Sequence, residues 1–244
     1  MDYLPVFLDL KGKPALLVGG GVTAARKADL LLRAGADLTV VSSGLGEEMT
    51  RMAEQWQFTH KTGELVAEDL EGCALVFGCA EDEDVDAHVY KLASEAGVMA
   101  NVPDTRKYCD FTMGALVDRN PLLIAISSGG ASPLLVRQLK ARLETTIPAA
   151  YGRLAEFAGS YRDRIKKLIT NSTRRRRFWE TMVSGPVAEH LFSNQLEQAR
   201  EVMENQLNEA AVGGDKPPEG EVYLVGTGPG DPDLLTRSEE HTSE

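Results

Sequence analysis

The apolar run at 15–18 (ALLV) stops at Gly19-Gly20-Gly21. Beyond it, Ala24, Ala28, Leu31 and Leu32 recur at i, i+4, i+7 and i+8, the spacing of one helix face, and Gly35 stands where a helix-ending glycine belongs. Residues 38–42 (LTVVS) read as the next strand, so the opening predicts strand, glycine turn, helix and strand, a βαβ unit. The alternation continues with a weak strand at 58–61, a strong one at 74–80, a helix over 84–97, and strands at 98–102 and 121–127. Strands alternating with helices predict an α/β fold with a parallel, doubly wound, Rossmann-like sheet.

From about residue 132 the period changes. Segments 132–147, 149–169 and 186–207 all carry helical spacing with no strand signal between them, so 133–210 read as a helical second domain. Residues 211–221 have the glycine, proline and charge content of a linker. Residues 222–236 (VYLVGTGPGDPDLLT) begin a new strand and a glycine-rich turn, the start of another domain. The closing RSEEHTSE (237–244) matches one reading frame of a sequencing-library adapter and is expected to be an artefactual tail outside the fold.

Composition narrows the class. Hydrophobic residues at 43% and charged residues at 26% fit a globular chain and exclude a disordered or collagenous one. No apolar run approaches the roughly 18 residues of a membrane helix, and the opening MDYLPVFLDLKGK lacks the pattern of a secretory leader. Cys73, Cys79 and Cys109 form no CxxC, which argues against a disulfide framework or a zinc knuckle and for a reducing, cytoplasmic setting. A net charge of −11 argues against sequence-blind binding to nucleic acid, and an anionic ligand would need a local basic patch.

Gly19, Gly21 and Ala24 fit GxGxxA directly after a strand and at the start of a helix, the arrangement that turns tightly and presents backbone N–H groups to a pyrophosphate. At the end of the second strand, where an acid commonly holds the ribose, stand Ser42-Ser43-Gly44; with no arginine there, NAD is favoured over NADP. Glu81-Asp82-Glu83-Asp84 reads as a solvated helix start beside the cofactor crevice. Asp104, in Asn101-Val102-Pro103-Asp104 after a strand, is either a crevice base or a turn-capping aspartate. Ser127 to Pro133 offers an anion site or a hinge. Arg174 to Arg177 is either a solvated helix turn or a grip for carboxylates. His60, His88 and His190 have no ligand spacing, and no metal site is assigned.

Together, MDYLPVFLDLKGKPALLVGGG, the NVPD segment and SSGGASPLLVRQLKARLE resemble the N-terminal half of the siroheme synthases, the precorrin-2 dehydrogenase and sirohydrochlorin ferrochelatase module, across residues 1–210. Residues 222–236 resemble the opening of that family's methyltransferase domain. The resemblance implies NAD-dependent oxidation of precorrin-2, insertion of Fe²⁺ as a substrate, and a homodimer whose helical region helps form the tetrapyrrole site. It also implies roles: Val22, Thr23, Ser43 and Gly44 match NAD contacts, Asp104 the general base, Ser128 a serine that carries phosphate, and Pro229 an S-adenosylmethionine contact. The implied boundaries are 1–113 (NAD-binding), 114–148 (strand–helix dimerisation region) and 149–210 (helical domain). The methyltransferase start lacks a body and is not expected to work. The rival readings are an NAD-sensing regulatory domain without catalysis and an ordinary small-molecule dehydrogenase, the latter disfavoured by the missing Tyr-x-x-x-Lys pair.

Overall fold

The computed structural model describes residues 2–212. The methyltransferase-like segment with Pro229, the tail, and the linker beyond Val212 lie outside the described residues. Strands β1 (Pro14–Val18), β2 (Asp37–Ser42), β3 (Thr59–Thr62), β4 (Leu75–Gly78) and β5 (Met99–Asn101) form a parallel sheet in the order β3-β2-β1-β4-β5. The chain winds outward from β1 to β3, then restarts at β4 on the other side of β1. That reversal opens a crevice at the carboxyl ends of β1 and β4, the place where such sheets bind ligands.

Helices α1 (Val22–Arg33), α2 (Glu47–Gln55) and α3 (Glu83–Ala96) connect the strands. Because β1 is covered on both faces, it is apolar throughout instead of alternating: Leu17 packs with Ala24, Ala28 and Val40, and Leu16 with Val76, Val89 and Ala93. The buried alanines of α1 bring its backbone close to the sheet. Gly35 (φ +78°) and Gly97 (φ +69°) take the left-handed positions that end α1 and α3.

Three expectations need correction. The strand expected at 121–127 is β7 (Leu122–Ile126), and it pairs with β6 (Ala115–Arg119) in a separate two-stranded sheet. Only two residues join the pair, a link that suits a hairpin and cannot carry a parallel crossover. Gly114 is needed there, since a Cβ would stand 2.7 Å from the Ile126 carbonyl oxygen. Helix α2 was not anticipated, because its stripe is a single buried residue, Met49. The helix expected over 186–207 is two, α7 (Pro186–Phe192) and α8 (Leu196–Val212), broken where Asn194 adopts φ +58°. Helix α8 also runs into the expected linker.

The chain forms two compact units. One holds the residues up to Val117 together with Ile124–Thr146, including α4 (Pro133–Thr146). No residue of α4 is buried. The other holds Asp118–Leu123 and the described residues from Ile147 on. There α5 (Ala150–Leu168), α6 (Ser172–Ser184), α7 and α8 enclose Leu154, Phe157, Ile165, Met182, Leu191, Met203 and Leu207. On its surface Arg164 grips Glu204 with two hydrogen bonds (2.5 and 2.6 Å), holding that carboxyl below its ordinary range.

Candidate active site

A cleft of about 420 Å³ opens at the carboxyl edge of the sheet, lined by Thr23 after β1, Gly78 at the end of β4, Cys79, Glu81 and Asp86 beyond it, and Pro103, Asp104 and Thr105 after β5. The three buried polar or charged side chains among the described residues, Ser42, Asp86 and Asn101, lie at or next to this edge. Each anchors one of its loops.

The three glycines of the turn do different work. A Cβ on Gly19, whose φ is +124°, would lie 2.1 Å from the Cys79 carbonyl oxygen, and one on Gly20 would lie 2.1 Å from that of Gly44. Both are excluded by the protein's own packing. A Cβ on Gly21 meets only the Glu81 side chain at 3.5 Å, so the space above Gly21 is not claimed by the fold. Gly21 is also the N-cap of α1 and supplies no side-chain cap, while Val22 beside it is 47% exposed. A helix start without a side-chain cap, reached over an open glycine, leaves backbone N–H groups of the kind a pyrophosphate would need.

At the end of β2, the Ser42 hydroxyl donates to Gly44 O (3.0 Å) and lies 3.0 Å from His60 Nε2 on β3. Gly46 N–H donates to Gly20 O at 2.9 Å, locking this loop to the glycine turn. Ser43 and Gly44 are left exposed beside it. The side chain of Lys61 on β3 pairs with Asp69.

After β4, Asp82 caps α3 by accepting from the N–H groups of Asp84 and Val85, as a helix-start acid should. Sequence reasoning missed Asp86. It is buried, accepts from Ala80 N–H at 3.2 Å, and so fixes the loop that carries Glu81. Burial pushes its carboxyl above the usual range, with Asp82 and Glu81 adding to the effect. Burial likewise pushes the Cys79 thiol up to about 12, which makes it an inert wall.

Asp104 sits in the turn Val102-Pro103-Asp104-Thr105, closed by Thr105 N–H donating to Val102 O (3.2 Å). Its φ is +65°, the left-handed value of the third position of a type II turn, which accepts proline at the second. Its exposed side chain lines the cleft and makes no hydrogen bond or ion pair within the described residues, so it is not a capping aspartate. Glu81 (φ +60°) lines the same cleft. Left-handed backbone at non-glycine residues concentrates where function requires it.

The remaining candidates stand elsewhere. Ser128 accepts from Ser132 N–H (3.0 Å) in the loop before α4, where Gly129 and Gly130 take positive φ. The arginine run does not form one patch: Arg174 donates to Ala210 O, Arg175 to Ile169 O, and Arg176 pairs with Glu180. Among the described residues no cluster of three or more His, Cys, Asp or Glu is arranged to hold a metal, and no helix is long and apolar enough to cross a membrane.

Known proteins match this arrangement along nearly the whole chain. Residues 6–115 match a family described as putative NAD(P)-binding, 119–146 the sirohaem biosynthesis protein central region, and 150–207 the sirohaem synthase dimerisation region. The chain is 47% identical over 236 residues to a siroheme synthase of Nitrosococcus oceani and 46% identical over 237 to one of Nitrosomonas eutropha, in each case over 97% of its own length. It spans about half the length of these relatives, 50% and 49%. The structure of SirC, a precorrin-2 dehydrogenase, aligns over 83% of this chain and 100% of its own, with a TM-score of 0.67 and 26% identity. The chain therefore belongs to the siroheme synthase family and corresponds to the N-terminal part of its members.

Proposed function

We propose that the chain oxidises precorrin-2 to sirohydrochlorin with NAD⁺ and then inserts Fe²⁺ to give siroheme, using Asp104 as the base in both steps. The observation that carries this reading is the shared cleft: Thr23 at an uncapped helix start and the partnerless carboxylate of Asp104 line the same space.

The α1 N–H groups hold the pyrophosphate over Gly21, Val22 and Thr23 line its path, and Ser43 and Gly44 take the adenosine end. NAD⁺, when bound, accepts a hydride. Asp104 takes the proton that leaves the macrocycle with that hydride and, being exposed, passes it to solvent. In the second step the same carboxylate removes the two pyrrolic protons displaced by the metal, one after the other. Iron binds the substrate's own nitrogens and needs no protein ligand set. The acidic lining of the cleft favours a pose in which the ring edge enters and the substrate's carboxylates point outward.

The chain works as a homodimer in this reading. Residues 150–207 match a sirohaem synthase dimerisation region, and the exposed Leu4 (75%), Phe7 (69%) and Leu134 (64%) are apolar side chains that a second copy of the chain would cover. Free thiols at Cys73, Cys79 and Cys109 suit a reducing cytoplasm.

The test is to add precorrin-2 and NAD⁺ to the purified chain and follow NADH absorbance, then supply Fe²⁺ with pre-formed sirohydrochlorin. NADH formation followed by the siroheme spectrum supports the proposal. Tight NAD⁺ binding with no NADH identifies an NAD-sensing module instead.

A further inference from the structure

The loop that carries Asp104 folds back on itself. After β5 the chain makes the Val102–Thr105 turn, one turn of 3₁₀ helix at Arg106–Tyr108, and then an antiparallel bridge from Cys109 to Asn101. The Cys109 thiol lies inside this loop. Its Sγ is 3.1 Å from Val102 O and 3.4 Å from Thr105 O, the carbonyls on either side of Pro103-Asp104. Its one proton is shared between those two acceptors. Asn101, itself buried, donates to Phe111 O (2.7 Å) and approaches Sγ at 3.5 Å, which orients the sulfur from behind.

We infer that Cys109 is a positioning residue for the reaction, its thiol clamping both ends of the Asp104 turn so that the carboxylate is presented to the cleft. This rests on the reading of Asp104 as the base. The thiol stays a donor because burial raises it above the ordinary cysteine range. The geometry also separates positioning from stability. Val102 O already accepts from Thr105 N–H, and Thr105 O from Tyr108 N–H (2.9 Å). Removing the thiol therefore orphans neither carbonyl, and the loss falls on the fixity of the turn.

Single-turnover NADH formation from precorrin-2, KM for NAD⁺ and thermal melts are measured for wild type, Cys109→Ala, Cys109→Val, Cys109→Ser, Asp104→Asn and the Asp104→Asn/Cys109→Ala double variant. Cys109→Ala and Cys109→Val should lower the rate about tenfold, the weight of one ordinary hydrogen bond, with KM for NAD⁺ unmoved. Cys109→Ser, which keeps a donor, should return the rate to within about threefold of wild type. In the Asp104→Asn background, Cys109→Ala should cost nothing more, a non-additivity that a purely structural role does not produce. Wild-type rates in Cys109→Val, or full additivity in the double variant, overturn the inference while leaving Asp104 as base. A wild-type rate in Asp104→Asn overturns the reading beneath it. Valine fills the thiol's space, so the test survives if the alanine variant fails to fold.

Discussion

Replacing Asp104 separates its chemistry from its backbone, because the turn imposes a left-handed φ of +65° on a side chain that bonds to nothing. Asparagine tolerates that conformation as aspartate does, and no hydrogen bond is lost, so Asp104→Asn should melt with wild type. Alanine has a Cβ and no local polar group to compensate it. Left-handed backbone costs an ordinary residue about 1–2 kcal/mol, part of which aspartate already bears, so Asp104→Ala should lose roughly 0.5–1 kcal/mol. That corresponds to a fall of about 1–4 °C in a chain of this size. Glycine removes the strain but adds unfolded-state entropy, and Asp104→Gly should stay within about 0.5 kcal/mol of wild type. All three lose the base, so all three should slow hydride transfer and metal insertion by about 10²–10⁴-fold, or roughly 2.7–5.4 kcal/mol of barrier. The assays are single-turnover NADH formation, siroheme formation and thermal melts on the same preparations. An asparagine variant with wild-type rates refutes the base assignment. An alanine variant more stable than the glycine one refutes the turn geometry.

The glycine turn should divide. Gly19→Ala and Gly20→Ala push a Cβ into carbonyl oxygens and should destabilise by about 3 kcal/mol or more, whereas Gly21→Ala should fold normally and weaken NAD⁺ binding about tenfold or more; calorimetry of unfolding and of binding checks both. Asp86 should give an unusual pH limb. Its folded carboxyl is raised above the ordinary 3.8, so its contribution is fully present below that value and is lost as pH rises through the raised one. Asp86→Asn should flatten the fall of the denaturation midpoint as pH rises above 3.8, and an unchanged slope refutes the assignment. Leu134→Glu, at a 64% exposed site on α4, should leave the fold intact and weaken self-association in sedimentation; an unaltered dimer places the interface elsewhere.

Much of the sheet was legible because its connections are short and its strands bury both faces: ALLV, three glycines and the 24, 28, 31, 32 stripe leave little choice. What failed was partnership. LLIAI announces a buried strand but says nothing about its neighbour, and β6 (ALVDR) is too mixed to announce itself. The α2 stripe is too narrow to register, and the break before α8 hangs on one left-handed asparagine. At the cleft, the place of Asp104 after a strand was readable and Pro103 hinted at its turn. Asp86 and Cys109 were not readable, since their work depends on backbone groups (Ala80 N–H, the Val102 and Thr105 carbonyls) that no residue pattern encodes.

The lock between the glycine turn and the loop after β2 constrains how this site can diverge. Gly20 is barred from a side chain by Gly44 O, and Gly46 by Gly20 O at 2.8 Å, so neither loop can drift alone without breaking the other. Gly44 has nothing within 4 Å of its missing Cβ, and Ser43 is exposed. Room for a new side chain in this loop is thus found at Ser43 and Gly44, the residues proposed to take the adenosine end of the cofactor. In the proposed function, a change from one nicotinamide cofactor to the other would therefore run through Ser43 and Gly44, while Gly20 and Gly46 are held to glycine by each other's loops.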